Sequence, residues 1–209
     1  KDTISFLNQF AYLKREKTTA KIIAITGSAG KTSLKNMISD LLKNFDQTYS
    51  SPKSFNNHYG VPISLSNLNT EDKFGVFEVG MSRPGEIRNL TKLIKPHIGV
   101  ITNIGEAHLE NFKNIKGIAK AKSEIIQNIK PGGTIILNRD DKFFNFLFKK
   151  AKSHNLKICT FGRHYKSDVR IIKIINKVNS SKLLVNCNKQ IINLEIKDLN
   201  IHNVLASIA

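Results

Sequence analysis

The chain of 209 residues is 40% hydrophobic, holds two cysteines and carries a formal net charge of +17. That length suits one ordinary domain, or one with a small appendage, and no stretch approaches the roughly 18 uninterrupted apolar residues of a membrane span. The 33 basic residues are scattered along the whole chain, with no zinc-finger spacing, aromatic–basic motif or basic block, so no nucleic-acid partner is expected.

In chain order, "TISFLNQFAYLKR" (3–15) spaces Ile4, Leu7, Phe10 and Ala11 as a helix does. The run "KIIAIT" (21–26) is short, β-branched and apolar, as in a strand buried on both faces. After a glycine turn, "KTSLKNMISDLLKNF" places Leu34, Met37, Ile38, Leu41 and Leu42 at helical spacing. The alternation continues with a strand over 74–80, a helix over 84–94 with Pro84 at its start, a strand over 97–104 and a helix over 114–129. The "PGG" turn leads into the strand "TIILN", a helix over about 141–155 and the strand "KICTFG". From residue 168 the strands "VRIIKII", "KLLVNC" and "QIINLEI" follow one another with short polar turns, as an antiparallel segment at a sheet edge does. The final "NIHNVLASIA" begins a further helix. The expected fold class is therefore α/β, a mostly parallel sheet flanked by helices, with antiparallel strands near the C-terminal end.

The opening residues mix Lys, Asp, Arg and Glu with apolar positions, unlike a signal peptide. Cys159 and Cys187 have no partner at metal-ligand spacing, so both read as reduced core or strand residues. Both features suit a cytoplasmic location. The chain does not begin with Met, as expected of a segment cut from a longer protein.

The stretch "AITGSAGKTS" (24–33) holds the chemistry. Strand, glycine-rich turn and helix form the setting of a phosphate-binding loop: Gly27 and Gly30 let backbone N–H groups face phosphate, and the helix N-terminus adds its dipole. Lys31 is placed to reach the β/γ-phosphates, and the Thr32 hydroxyl to ligand Mg²⁺. The usual loop would have a glycine where Ile25 stands. Glu78 ends an apolar strand, where an unpaired carboxylate is costly, so it is either a metal ligand or structurally partnered; the ligand reading is preferred. His108 lies just past another strand. By itself such a histidine reads as a loop or core residue, but a place on the same sheet edge as Lys31 and Glu78 favours a role.

The segments "ITGSAGKTS", "SFNNHYGVP", "FEVGMSRPGEI", "ITNIGEAHLENF" and "IAKAKSEI", in this order and spacing, resemble the Mur ligases, ATP-dependent amide-forming enzymes of peptidoglycan precursor synthesis. "FNN–GVP" and "E-x-G-M-x-x-P-G-E-I" look like the branch that adds D-alanyl-D-alanine to UDP-N-acetylmuramoyl-tripeptide. The resemblance implies a P-loop NTPase-like central domain and a shortened loop, T-G-[TS]-x-G-K-[ST], that needs no glycine at Ile25. It implies ATP binding by Thr26, Gly27, Ser28, Ala29, Gly30, Lys31, Thr32 and Ser33, with Asn138, His202 and Asn203 near the nucleotide and Asp141 a weaker candidate. Thr32, Glu78, His108 and Lys122 match the family's magnesium site, which holds two ions. Lys122, by itself a solvated helix lysine, matches the lysine the family carries as a carbamate formed with CO₂. Lys31, His108 and Lys122 are the implied catalytic residues. Asn56 and Asn57 match a segment on the muramoyl-substrate side, against the alternative of an Asn-rich turn. Ala206 stands where the family usually has Asn, and Ser82 and Arg83 stand where Asn-His is common, so these three receive no role.

The implied reaction passes through an acyl phosphate: a substrate carboxylate attacks ATP, and the amine of D-alanyl-D-alanine then displaces phosphate. Residues 1–20 are expected to be a linker helix from a preceding UDP-binding domain, and 21–209 a truncated central ATP-binding domain without its C-terminal partner. A monomer is expected, and the isolated chain is expected to be inactive. The alternatives are another Mur-type amide ligase, of folylpolyglutamate, cyanophycin or lipid II amidating type, and a nucleic-acid-coupled P-loop NTPase.

Overall fold

The computed structural model describes residues 2–106, 111–176, 180–187 and 189–196. Helix α1 (Thr3–Lys17) starts under the Asp2 carboxylate, which accepts the N–H of Ile4 at 3.0 Å, and ends in Lys14, Arg15 and Lys17, favourable charges beside its C-terminal carbonyls. Its buried face is Ala11 and Arg15, while Ile4 and Phe10 of the expected apolar stripe are exposed. The Arg15 guanidinium donates to the carbonyls of Ile94 and Lys95, anchoring α1 on the C-terminus of helix α4 (Glu86–Ile94).

Strand β1 (Lys21–Thr26) is paired in parallel with β3 (Phe74–Glu78) on one side and β4 (Ile98–Ile101) on the other. Alternate β1 residues serve opposite faces. Ile23 and Ile25, with Val76 and Val100, pack under Leu34, Met37 and Ile38 of α2 (Lys31–Leu42). Ile22 and Ala24 join the larger core that includes Ala11, Leu65, Ile87 and Leu147 from the helices of the other face. Burial on both faces is why β1 reads as one apolar run.

Two short elements escape the sequence pattern: β2 (Thr48–Ser50) and α3 (Gly60–Ser66). Three residues cannot show an alternation, and α3 has Pro62 in its first turn, a position where a missing N–H is tolerated. The helix expected over 114–129 is α5 (Ile115–Lys122) followed by a 3₁₀ turn over Ser123–Asn128, the change of pitch coming immediately after Lys122. Strand β5 (Thr134–Asn138), helix α6 (Phe144–Ser153) and strand β6 (Lys157–Gly162) complete the parallel part.

The sheet order is β2-β3-β1-β4-β5-β6-β7-β8-β9. Strand β7 (Val169–Asn176) is still parallel to β6, and the antiparallel segment consists of its pairing with β8 (Ser181–Cys187) and of β8 with β9 (Gln190–Ile196). The expected helix over the last residues falls outside the described residues. From β1 the chain first builds β2 and β3 on one side, then crosses to β4 on the other. This reversal opens a crevice beyond the C-terminal ends of β1, β3 and β4, where an open α/β sheet binds its ligands.

Candidate active site

The loop between β1 and α2 begins at Gly27, with φ at 151°. A Cβ there would lie 1.9 Å from Thr102 Oγ1, so only glycine lets the loop pass this close to the end of β4. Gly30, with φ at 80°, turns the chain into α2. Ile25 is fully buried in β1 beneath α2, so the loop is four residues long and a glycine at position 25 would only leave a hole in the core.

The loop is held from the β4 side. Asn103 Oδ1 accepts the N–H groups of Ser28 (3.1 Å) and Ala29 (2.9 Å), and Thr102 Oγ1 donates to the Ala29 carbonyl at 2.6 Å. Ser28 Oγ donates to Gly105 O and accepts from Gly105 N. Asn103, two residues past the end of β4, has no role in the sequence analysis, which counts it inside the strand over 97–104.

Lys31 Nζ donates to Gly27 O at 3.0 Å, and Lys122 Nζ reaches the same carbonyl at 2.9 Å from the end of α5. Burial, and secondarily the Lys31 charge, pushes Lys122 down to about 7. Burial also lowers Lys31, against the pull of the Glu78 carboxylate. Glu78 is 1% exposed at the end of β3. Its Oε2 accepts from Thr32 Oγ1 and its Oε1 from Asn56 Nδ2, both at 2.7 Å. The acid is thus structurally partnered and also aimed at the loop. Ser33 is half-buried in the first turn of α2, and Thr26 is buried with its Oγ1 lacking a hydrogen-bond partner.

Gly27, Ser28, Lys31 and Lys122 line a cleft of about 580 Å³ together with the loop Gly80–Arg83, Asn56, Asn57 and His58, while Thr32 and Glu78 lie behind Asn56 and outside the lining. Asn57 Oδ1 accepts the N–H groups of Tyr59 (3.1 Å) and Gly60 (2.9 Å), fixing the turn into α3. Ser82 and Arg83 direct their N–H groups to Glu86 Oε2, and Glu124 accepts from Gly85 N and Arg88 N. Asn138 stands apart from the cleft lining: its Nδ2 donates to Thr102 O at 3.2 Å and its Oδ1 accepts from Asp140 N. Asp141 joins the loops after β4 and β5 by accepting from Ile104 N and Phe143 N. His108, His202, Asn203 and Ala206 lie outside the described residues.

The oxygen ligands Thr32 Oγ1 and Glu78 Oε2, 2.7 Å apart at the start of α2, suit a hard divalent cation such as Mg²⁺. Among the described residues no group of three or more His, Cys, Asp and Glu side chains is placed for a metal. No described helix is long and apolar enough to cross a membrane.

The family model described as the Mur ligase middle domain matches residues 25–209. The UDP-N-acetylmuramoyl-tripeptide–D-alanyl-D-alanine ligase of Buchnera aphidicola subsp. Acyrthosiphon pisum is 39% identical over 208 residues, covering 97% of this chain and 45% of that protein. The crystal structure of MurF from Acinetobacter baumannii superposes with a TM-score of 0.93 at 33% identity, over 99% of this chain and 45% of that one. MurF ligase from Thermotoga maritima in complex with ADP gives 0.91 at 27% identity, over 100% of this chain and 48% of that one. The chain therefore spans about half the length of the relatives it matches. Since the family match runs from the phosphate loop through the last strands, the chain belongs to the Mur ligase family.

Proposed function

We propose that this chain is the ATP-handling part of a cytoplasmic, monomeric ligase that joins D-alanyl-D-alanine to UDP-N-acetylmuramoyl-tripeptide in peptidoglycan precursor synthesis. One observation carries the reading: Lys31 and Lys122, both lining one cleft, meet on the Gly27 carbonyl, while Asn56 of the same lining joins Thr32 in gripping Glu78. The names of the sequence relatives supply the substrate pair.

In this reading Lys31 and the first turn of α2 bind the β/γ-phosphates of ATP, and loop residues 26–33 surround them. Mg²⁺, two ions in the family, would be held by Thr32, Glu78, His108 and Lys122, and would supply charge neutralisation on the transferring phosphoryl group. Lys122 serves this role as a carbamate. Two ammonium groups on one carbonyl repel, and CO₂ addition to the neutral Lys122 amine replaces that repulsion by attraction to Lys31 and to the cation. The substrate carboxylate attacks the γ-phosphorus, ADP leaves, and the amine of D-alanyl-D-alanine displaces phosphate from the acyl phosphate. Asn138, His202 and Asn203 serve the nucleotide. Asn56 and Asn57 sit between the phosphate loop and the muramoyl-substrate side, with the remaining substrate contacts supplied by further domains.

The test is ADP release by the protein expressed from its complete open reading frame. Release should require ATP, bicarbonate, the muramoyl-tripeptide and D-alanyl-D-alanine together, and should fall by about 10²–10³-fold in Lys31→Ala. Release driven equally well by glutamate with a folate acceptor would overturn the substrate assignment.

A further inference from the structure

Lys35 is 2% exposed, and none of the groups assigned above uses it. It lies on α2 one turn beyond Lys31 and Thr32. Removing an ammonium from water costs several kcal/mol unless hydrogen bonds replace the lost solvation, and such burial is weak evidence for a stabilising role. Here the replacement is two carbonyls of a single turn: Lys35 Nζ donates to Ser51 O at 2.7 Å and to Lys53 O at 2.6 Å. Lys53 itself has φ at 45°, a left-handed conformation unusual for a residue with a side chain.

That turn opens the loop from Ser51 to Asn57, which holds Glu78 from several directions. Ser51 Oγ accepts the Glu78 N–H at 3.2 Å, Asn56 Nδ2 donates to Glu78 Oε1 at 2.7 Å, and Asn56 O accepts the Gly80 N–H at 2.8 Å. Thr32, on the same helix as Lys35, takes the other carboxylate oxygen at 2.7 Å. The Glu78 carboxylate is thus gripped between α2 and the 51–57 loop, and Lys35 joins those two elements. We infer that Lys35 is a positioning residue that sets the aim of the Glu78 carboxylate, and through it the affinity of the cleft for a divalent cation. This rests on the reading of Glu78 as a cation ligand.

The experiment uses the protein expressed from its complete open reading frame, with Mn²⁺ as the probe and free Mn²⁺ followed by electron paramagnetic resonance in the presence of ADP. Lys35→Met, which keeps the stem and removes the ammonium, should weaken Mn²⁺ binding about tenfold while metal-free ADP affinity stays within about twofold. Asn56→Ala should weaken Mn²⁺ binding comparably, and the double variant no further, because both act through one loop. Parent-like Mn²⁺ affinity in Lys35→Met, an equal loss of ADP affinity, or losses that multiply in the double variant would each overturn the inference. Glu78→Gln separates the two levels. If it retains Mn²⁺, the ligand reading of Glu78 fails; if it loses Mn²⁺ while Lys35→Met does not, only the Lys35 inference fails. Should Lys35→Met not fold, the ¹⁵N ammonium resonance of Lys35 in the unmodified protein is expected to shift when Mg²⁺ is added to the ADP complex. An unmoved resonance then counts against the inference.

Discussion

Lys122 shows how much a single residue's surroundings change its chemistry. On a solvated helix its ammonium would titrate near 10.4 and stay inert toward CO₂ at neutral pH. Buried against Gly27 O and beside Lys31, it is pushed down to about 7, so its neutral amine becomes abundant as the pH rises through that value. Carbamate formation needs the neutral amine, so uptake should grow between about pH 6 and about pH 8 rather than above pH 10. With ¹³C-labelled bicarbonate, the parent should show a carbamate resonance that strengthens over this range, and Lys122→Arg should lack it. A resonance equally strong in both proteins would place the modification elsewhere. Lys31 and Thr32 stood out in the sequence through the strand–turn–helix pattern, and Glu78 as an acid ending an apolar strand. Asn103 and Lys35 were not, because their partners lie at Ser28 and Ser51, contacts made only by folding.

Among the elements, the break after Lys122 matters most for the cleft. A regular helix over 114–129 would carry Glu124 around the α5 axis. The 3₁₀ turn instead sends its carboxylate to the N-terminus of α4, where Gly85 occupies the cap position and has no side chain to offer. Glu124 Oε1 accepts from Gly85 N at 2.8 Å and Oε2 from Arg88 N at 3.0 Å, a cap supplied from another element and favoured by the helix dipole. Asn128 adds bonds to Arg88 O and Thr91 Oγ1. This seam ties the residues after Lys122 to the start of α4, directly after the Gly80–Arg83 loop. Glu124→Ala should lower stability by about 1–3 kcal/mol and speed hydrogen exchange at the amides of Gly85 and Arg88, with denaturant melts and exchange as the two measurements. Unchanged protection at those amides would show that the cap is not what orders the loop. The elements the sequence concealed, β2 and α3, are the ones too short to repeat a period.

For the whole molecule, a net charge of +17 has a thermodynamic consequence. Among the described residues the ion pairs Lys43–Asp40, Lys95–Glu16 and Lys182–Glu195 are exposed ones, worth little individually. Repulsion among the excess cations therefore outweighs local attraction, and screening should relieve it. Raising sodium chloride from about 0.01 M to about 0.15 M, which shortens the Debye length from about 30 Å to about 8 Å, should raise Tm. A falling Tm over that range would mean that the paired charges dominate after all.

The amino-acid sequence determined the α/β alternation, the antiparallel run at one edge, the four-residue phosphate loop and the residue types able to hold phosphate and a hard cation. It could do so because periodicity, glycine geometry and motif spacing are local properties of the chain. Only the tertiary structure decided that Lys122 and Lys31 share one carbonyl, that Asn103 accepts from the loop amides, and that Thr32 and Asn56 hold Glu78 from two elements which Lys35 joins. Those are contacts between segments brought together by a sheet whose order reverses at β1, and no local pattern encodes which side chain meets which across that reversal.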